Sequence, residues 1–183
     1  EKHRLSASGY YGNDVYGFKT NSGALNTQFQ WGNAAASLRW QWILAPRLFL
    51  NTSASFSNYN LDTQMGIDAY SAAIVSGIRD YSLKSQLTFL PNPKHTLNFG
   101  AHYTFHTFFP SRFEVETGAV DEEFSLNEQK PFYANELAIY ANDEYDIAKW
   151  LKINIGLRYT HFSHVGRFTR YHLDNFGYIC DST

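Results

Sequence analysis

Three histidines, His95, His102 and His106, sit close together in a stretch that alternates polar and apolar residues. At strand spacing, His102 and His106 share a face but lie about 13 Å apart, too far to ligate one tetrahedral zinc with bonds of about 2.0 Å. Lining a polar surface is the better role for them. His161, His164 and His172 follow no known ligand spacing. Among the acids, Asp143 and Glu144 are adjacent and project to opposite faces of a strand, so they cannot flank one glycosidic bond. The segment from Phe113 to Gln129 carries Glu114, Glu116, Asp121, Glu122, Glu123 and Glu128, with no base and no EF-hand spacing, and reads as a solvated acidic loop. Asn51-Thr52-Ser53 matches a glycosylation sequon by composition only, inside an expected strand. No G-x-S-x-G, P-loop or dinucleotide fingerprint occurs. The reading assigns no catalytic residue, no metal and no cofactor.

The elements that carry these residues follow from composition and periodicity. The chain has 183 residues, enough for one domain; aromatics make up 17% and charged residues only 17%, against about 25% in soluble domains. A net charge of -2 argues against bulk disorder and, with a pI near 6.4, against a nucleic-acid partner. Cys180 is the single cysteine, so no internal disulfide forms. The longest apolar run is five residues, Leu137 to Ala141, against about 20 for a spanning helix.

Period-two alternation dominates. In Leu151 to Tyr159, Leu151, Ile153, Ile155, Leu157 and Tyr159 oppose Lys152, Asn154, Gly156 and Arg158. Ser82 to Leu90, Thr96 to Phe109, Glu136 to Tyr145, Leu48 to Asn58, Ala34 to Leu44 and, most weakly, Arg4 to Tyr11 sort the same way. Short turns at Ala45–Arg47, Pro91–Lys94 and Asp146–Lys149 alternate with long polar connections at Gly12–Gly32, Leu61–Ser76 and Pro110–Pro131. Strand length near the ~9 to 11 residues of a tilted membrane strand, one wet face and long loops at one end predict the wall of a transmembrane β-barrel. Trp40, Trp42, Phe89, Tyr145 and Trp150 are expected at one membrane interface. Tyr59, Phe105, Phe109, Tyr159 and Phe162 are expected at the other.

The segments SGYYGNDVY (Ser8 to Tyr16), ASLRWQWILAPRLFLNTSASFSNYN (Ala36 to Asn60), SGIRDYSLKSQLTFLPNPKHTLNFGAHYTFHTF (Ser76 to Phe108) and NELAIYANDEYDIAKWLKINIGLRYTHF (Asn135 to Phe162) resemble the barrel of TonB-dependent outer-membrane receptors, in the style of the Bacteroidetes branch. The resemblance implies an all-β fold, an antiparallel transmembrane β-barrel segment of about seven meandering strands from a larger plugged barrel of about 22 strands. It implies residence in the outer membrane of a Gram-negative bacterium, contact with outer-membrane lipid, and TonB-energised uptake of a siderophore, cobalamin, glycan or peptide. TonB would act through a plug region that residues 1–183 lack, as they lack the remaining strands. The chain is expected to be a piece of a longer protein, ending in a long external loop after Phe162.

Within that frame, the wet face carries Arg39, Asp80, Lys84, Glu136, Glu144, Lys152 and Arg158, expected to line the lumen and to pair with one another or with the plug. Tyr16, Phe18, Tyr59, Tyr70, Phe108 and Phe113, with Tyr10 and Tyr11, are expected to offer stacking surfaces to a ligand at the long-loop end. No enzymatic activity is expected. The competing readings are an ungated porin or other outer-membrane barrel, an outer-membrane hydrolase, and a soluble β-sandwich binding module.

Overall fold

The structure, a computed structural model, describes residues 2–20, 25–67, 70–117, 124–126, 130–166, 171–173 and 179–182. Within these, residues 25, 67, 70–71, 112–117, 124–126, 171–173 and 179–182 are described by backbone alone. The described residues form ten strands: β1 (His3–Lys19), β2 (Leu25–Ala45), β3 (Leu48–Ile67), β4 (Tyr70–Asn92), β5 (His95–Thr117), β6 (Phe124–Leu126), β7 (Phe132–Ala148), β8 (Leu151–Val165), β9 (Tyr171–Leu173) and β10 (Ile179–Ser182). The seven long strands form one antiparallel sheet in the order β1-β2-β3-β4-β5-β7-β8, with β6 on β5 and a separate β9–β10 pair. The sheet is not closed.

Local chemistry explains the connections. Residues Pro46 and Arg47, Pro93 and Lys94, and Lys149 and Trp150 each make a two-residue link at the same end of the sheet, which permits only a hairpin. The Arg47 guanidinium donates to the Pro91 carbonyl at 2.8 Å, tying two of these turns together. The Asn92 side chain accepts the Lys94 N–H at 2.9 Å, closing a local turn. Two prolines inside strands sit where the ladder is already irregular: Pro91 lies in the register shift between Phe89 and Asn92, and Pro110 opposite the shift between Val75 and Gly77. A proline cannot donate to the ladder and is tolerated at such bulges.

At the other end the structure corrects the expected boundaries. The ladder between β1 and β2 continues to the pair Lys19–Asn26, and that between β3 and β4 to Ile67–Tyr70. Most of Gly12–Gly32 and Leu61–Ser76 is therefore paired strand rather than loop. Alternation marks a strand only where its two faces meet different surroundings; a hairpin wetted on both sides needs no apolar face, yet its backbone groups still pair. The third turn is also displaced, since β7 runs through Asp146 and Ile147 to Ala148.

Among the described residues no large side chain is fully buried. Ala134 (1% exposed) and Ala138 (0%) are the buried apolar residues among those described. Leu5, Leu38, Leu83, Leu137, Ile139, Ile155 and Leu157 are instead exposed on one face. A β-sandwich would cover such a face with a second sheet; the long strands here make one sheet. The soluble-sandwich reading is set aside on that ground.

Candidate functional site

Paired residues of an antiparallel ladder point to the same side, so register converts the alternation into two surfaces. One row runs Ser8–Ser37–Ser55–Ser82–Thr104–Glu136–Phe162; the next runs Ala7–Leu38–Ala54–Leu83–Tyr103–Leu137–His161 on the opposite face. The first face is knitted by hydroxyl contacts, Ser8 to Ser37 at 3.1 Å and Ser82 to Thr104 at 3.0 Å. Arg39, Asp80, Lys84, Glu136, Glu144, Lys152 and Arg158 all occupy this polar face by register.

Two groupings form among them. His106 places Nδ1 2.8 Å from an Asp80 oxygen and Nε2 3.7 Å from a Glu136 oxygen, with its side chain 14% exposed. An ionised carboxylate only accepts, so Nδ1–H donates to Asp80. Phe108 stacks on the imidazole at 5.7 Å, and Phe162 tilts against it at 6.1 Å. Nearer the short turns, Lys152 Nζ lies 3.1 Å from Glu144 and 3.7 Å from Asp146. Pairing within the set thus holds for Glu144 and Lys152; Asp80 accepts from His106, while Glu136 lies 3.7 Å from His106 Nε2, beyond hydrogen-bond reach.

Arg39, Lys84 and Arg158 form no ion pair among the described residues. Lys84 Nζ and the Arg158 guanidinium each lie 5.8 Å from the ring centroid of Tyr140, the cation–π range. That ring crosses Gly100, where a Cβ would overlap it, and its hydroxyl donates to the Gln86 side chain at 2.7 Å. Only glycine leaves room for this crossing. Among the described residues, no three His, Cys, Asp or Glu side chains are arranged to hold a metal ion.

The extended hairpins carry the aromatic residues. Tyr16, Phe18 and Tyr59 are exposed and share the polar face, whereas Tyr11, 79% exposed, turns to the opposite face. Phe108 stacks on Phe132 at 5.0 Å. Tyr70 and Phe113 are placed by backbone, and their side chains lie outside the described ones. Phe29 and Trp31, missed from sequence, are exposed on the polar face beside Tyr16 and Asp14. They fall within Gly12–Gly32, where a loop is expected, and strand alternation carried through that stretch from Arg39 places both on the polar face.

The apolar face has an aromatic border at each end. His3, Trp40 and Trp42 stack in series near the short turns, with Trp40 and Trp42 centroids 5.4 Å apart. Phe105 stacks on Tyr133 at 5.7 Å toward the other end. Two expectations fail here: Tyr59 and Phe162 share the row parity of Ser55 and Ser82, so they lie on the polar face. Position along a strand does not fix the face. His95 is also reversed, since it pairs with Tyr145 on the apolar side and binds Asp143 at 2.7 Å.

The sequence matches the family model described as TonB dependent receptor-like, beta-barrel, over residues 2–176. Among solved structures the fold is similar to the ferric citrate transporter FecA in the unliganded form, with a TM-score of 0.65 at 13% identity. That match covers 88% of this chain and 27% of FecA, and at this identity it carries the fold alone. No curated protein matches. The family is one of Gram-negative outer-membrane transport receptors rather than enzymes. On the match of residues 2–176 and the two-faced antiparallel sheet that agrees with it, the chain belongs to the TonB-dependent receptor β-barrel family.

Proposed function

We propose that this chain is a wall section of an outer-membrane receptor that takes up a scarce ligand with energy from TonB. The observation that carries the reading is the two-faced sheet: an exposed apolar face bordered by aromatics, backed by a polar face with seven charged side chains in register. In this reading the apolar face meets outer-membrane lipid. Arg39, Asp80, Lys84, Glu136, Glu144, Lys152 and Arg158 line the interior. Tyr16, Phe18, Tyr59, Tyr70, Phe108 and Phe113 lie toward the extracellular end, where a ligand enters and stacks. TonB acts through a plug region outside residues 1–183.

The test is genetic and physiological. A strain lacking the receptor that contains this segment is compared with its parent, with and without TonB, on limiting ferric siderophores, cobalamin, oligosaccharides or peptides. The reading requires a growth defect on at least one source that deletion of TonB reproduces. A defect that is independent of TonB refutes it and favours an ungated pore.

A further inference from the structure

Four fixed cations lie on the polar face in two adjacent register rows, which in β1 to β5 run through the half nearer the short turns. One row is Arg4–Gln41–Asn51–Gln86–Gly100–Tyr140–Arg158; its neighbour is Ser6–Arg39–Ser53–Lys84–His102–Ala138–Thr160. Neither row holds an Asp or Glu. Of the acids on this face, Asp80 accepts from His106 at 2.8 Å and Glu144 lies 3.1 Å from Lys152, while Glu136 and Asp146 lie 3.7 Å from the same two side chains.

Arg39 and Lys84 are two strands apart, about 10 Å between backbones, and Arg4 is diagonal to Arg39 at about 7–8 Å. Like charges this close repel unless an anion lies among them. The ground between Arg39 and Lys84 is a concavity of about 310 Å³ floored by the neutral hydrogen-bonding side chains of Asn51, Ser53 and Gln86. Its size suits a small solute rather than a folded partner. Tyr140 makes a fixed border: its hydroxyl is held by Gln86, and Lys84 and Arg158 lie over its ring.

We infer that this belt is a binding site for the oxyanion group, carboxylate or phosphate, of a small anionic solute. The inference rests on the reading above, in which the polar face borders the transport path, and it narrows the transported ligand to an anionic class. Arg39 and Lys84 supply charge and donors from opposite sides, and the neutral floor leaves the anion no competing carboxylate.

The test uses the purified receptor in detergent, with succinate, inorganic pyrophosphate and neutral erythritol as probes in titration calorimetry. Succinate and pyrophosphate separate carboxylate from phosphate recognition, and erythritol controls for polar binding without charge. At least one anion should bind while erythritol does not. The double variant Arg39→Gln, Lys84→Gln should weaken that anion by at least about tenfold, and Lys84→Arg should retain it. Failure of both anions to bind, or unaltered binding by the double variant, overturns the inference. A double variant that lowers the thermal midpoint without changing anion binding also overturns it, because the cations then pair with another protein segment. Outer-membrane insertion and TonB dependence are scored separately, so their failure beside intact anion binding counts against transport and not against the belt.

Discussion

Substituting arginine at two neighbouring positions of β4 separates the two faces. On the apolar side β4 presents Phe89, Leu87, Ser85, Leu83 and Tyr81 before Arg79, whose Nε donates to Asn58 at 3.0 Å. From Phe89 to Arg79 is roughly 33 Å of strand, and at a tilt of about 40° it spans about 25 Å of depth, the height of a barrel's apolar band. Leu83, 52% exposed between Ala54 and Tyr103, then lies about 10 Å below the upper edge of that band, close to its middle. Leu83→Arg should cost ~2–4 kcal/mol, or roughly 30- to 1000-fold in the folding equilibrium. Ser82→Arg loses one neutral hydrogen bond, to Thr104 at 3.0 Å, worth about 0.5–1.5 kcal/mol, and puts the new charge on the polar face. The assay is heat-modifiable gel mobility of the receptor in outer-membrane fractions, with urea unfolding from phospholipid vesicles for the magnitude. Equal insertion of the two variants would refute the membrane placement of this strand, and the reverse order would swap its faces.

Three further outcomes are expected. Gly100→Val must lift the Tyr140 ring and release its bonds to Gln86 and the two cations, costing about 1–3 kcal/mol in vesicle unfolding, more than Tyr140→Phe; a neutral Gly100→Val would show that the ring does not lie there. Removing the stack by Trp40→Ala with Trp42→Ala should lower stability by at least about 0.5–1.5 kcal/mol, and an unchanged unfolding midpoint would deny the stack a role. The 183-residue chain transferred to buffer without detergent should self-associate through its exposed apolar face and open strand edges, and a monodisperse monomer in light scattering would contradict the fold.

What the sequence made legible follows from where solvent differs across a strand. Leu151 to Tyr159 shows its face because apolar and polar side chains alternate at every step, and the structure keeps all of it in β8. Gly12–Lys19 and Leu25–Gly32 carry no such contrast, so their pairing was invisible although their backbones hydrogen-bond as regularly. The charged residues of the polar face were found by parity alone. The contacts among them were not, because Lys84, Tyr140 and Arg158 come together through register across four strands, which periodicity does not encode. Gly100 carries no local sequence signal for the same reason: its role is set by a ring arriving from β7.

The central claim is that one face of β4 lies against lipid while the other faces the barrel interior. Its most direct test is a nitroxide scan of residues 81 to 89, one cysteine at a time, in the receptor with Cys180→Ser, reconstituted in phospholipid vesicles. Collision with lipid-dissolved oxygen should be high at 81, 83, 85, 87 and 89, and low at 82, 84, 86 and 88, a strict period of two. A flat profile, or maxima at the even positions, would contradict the account.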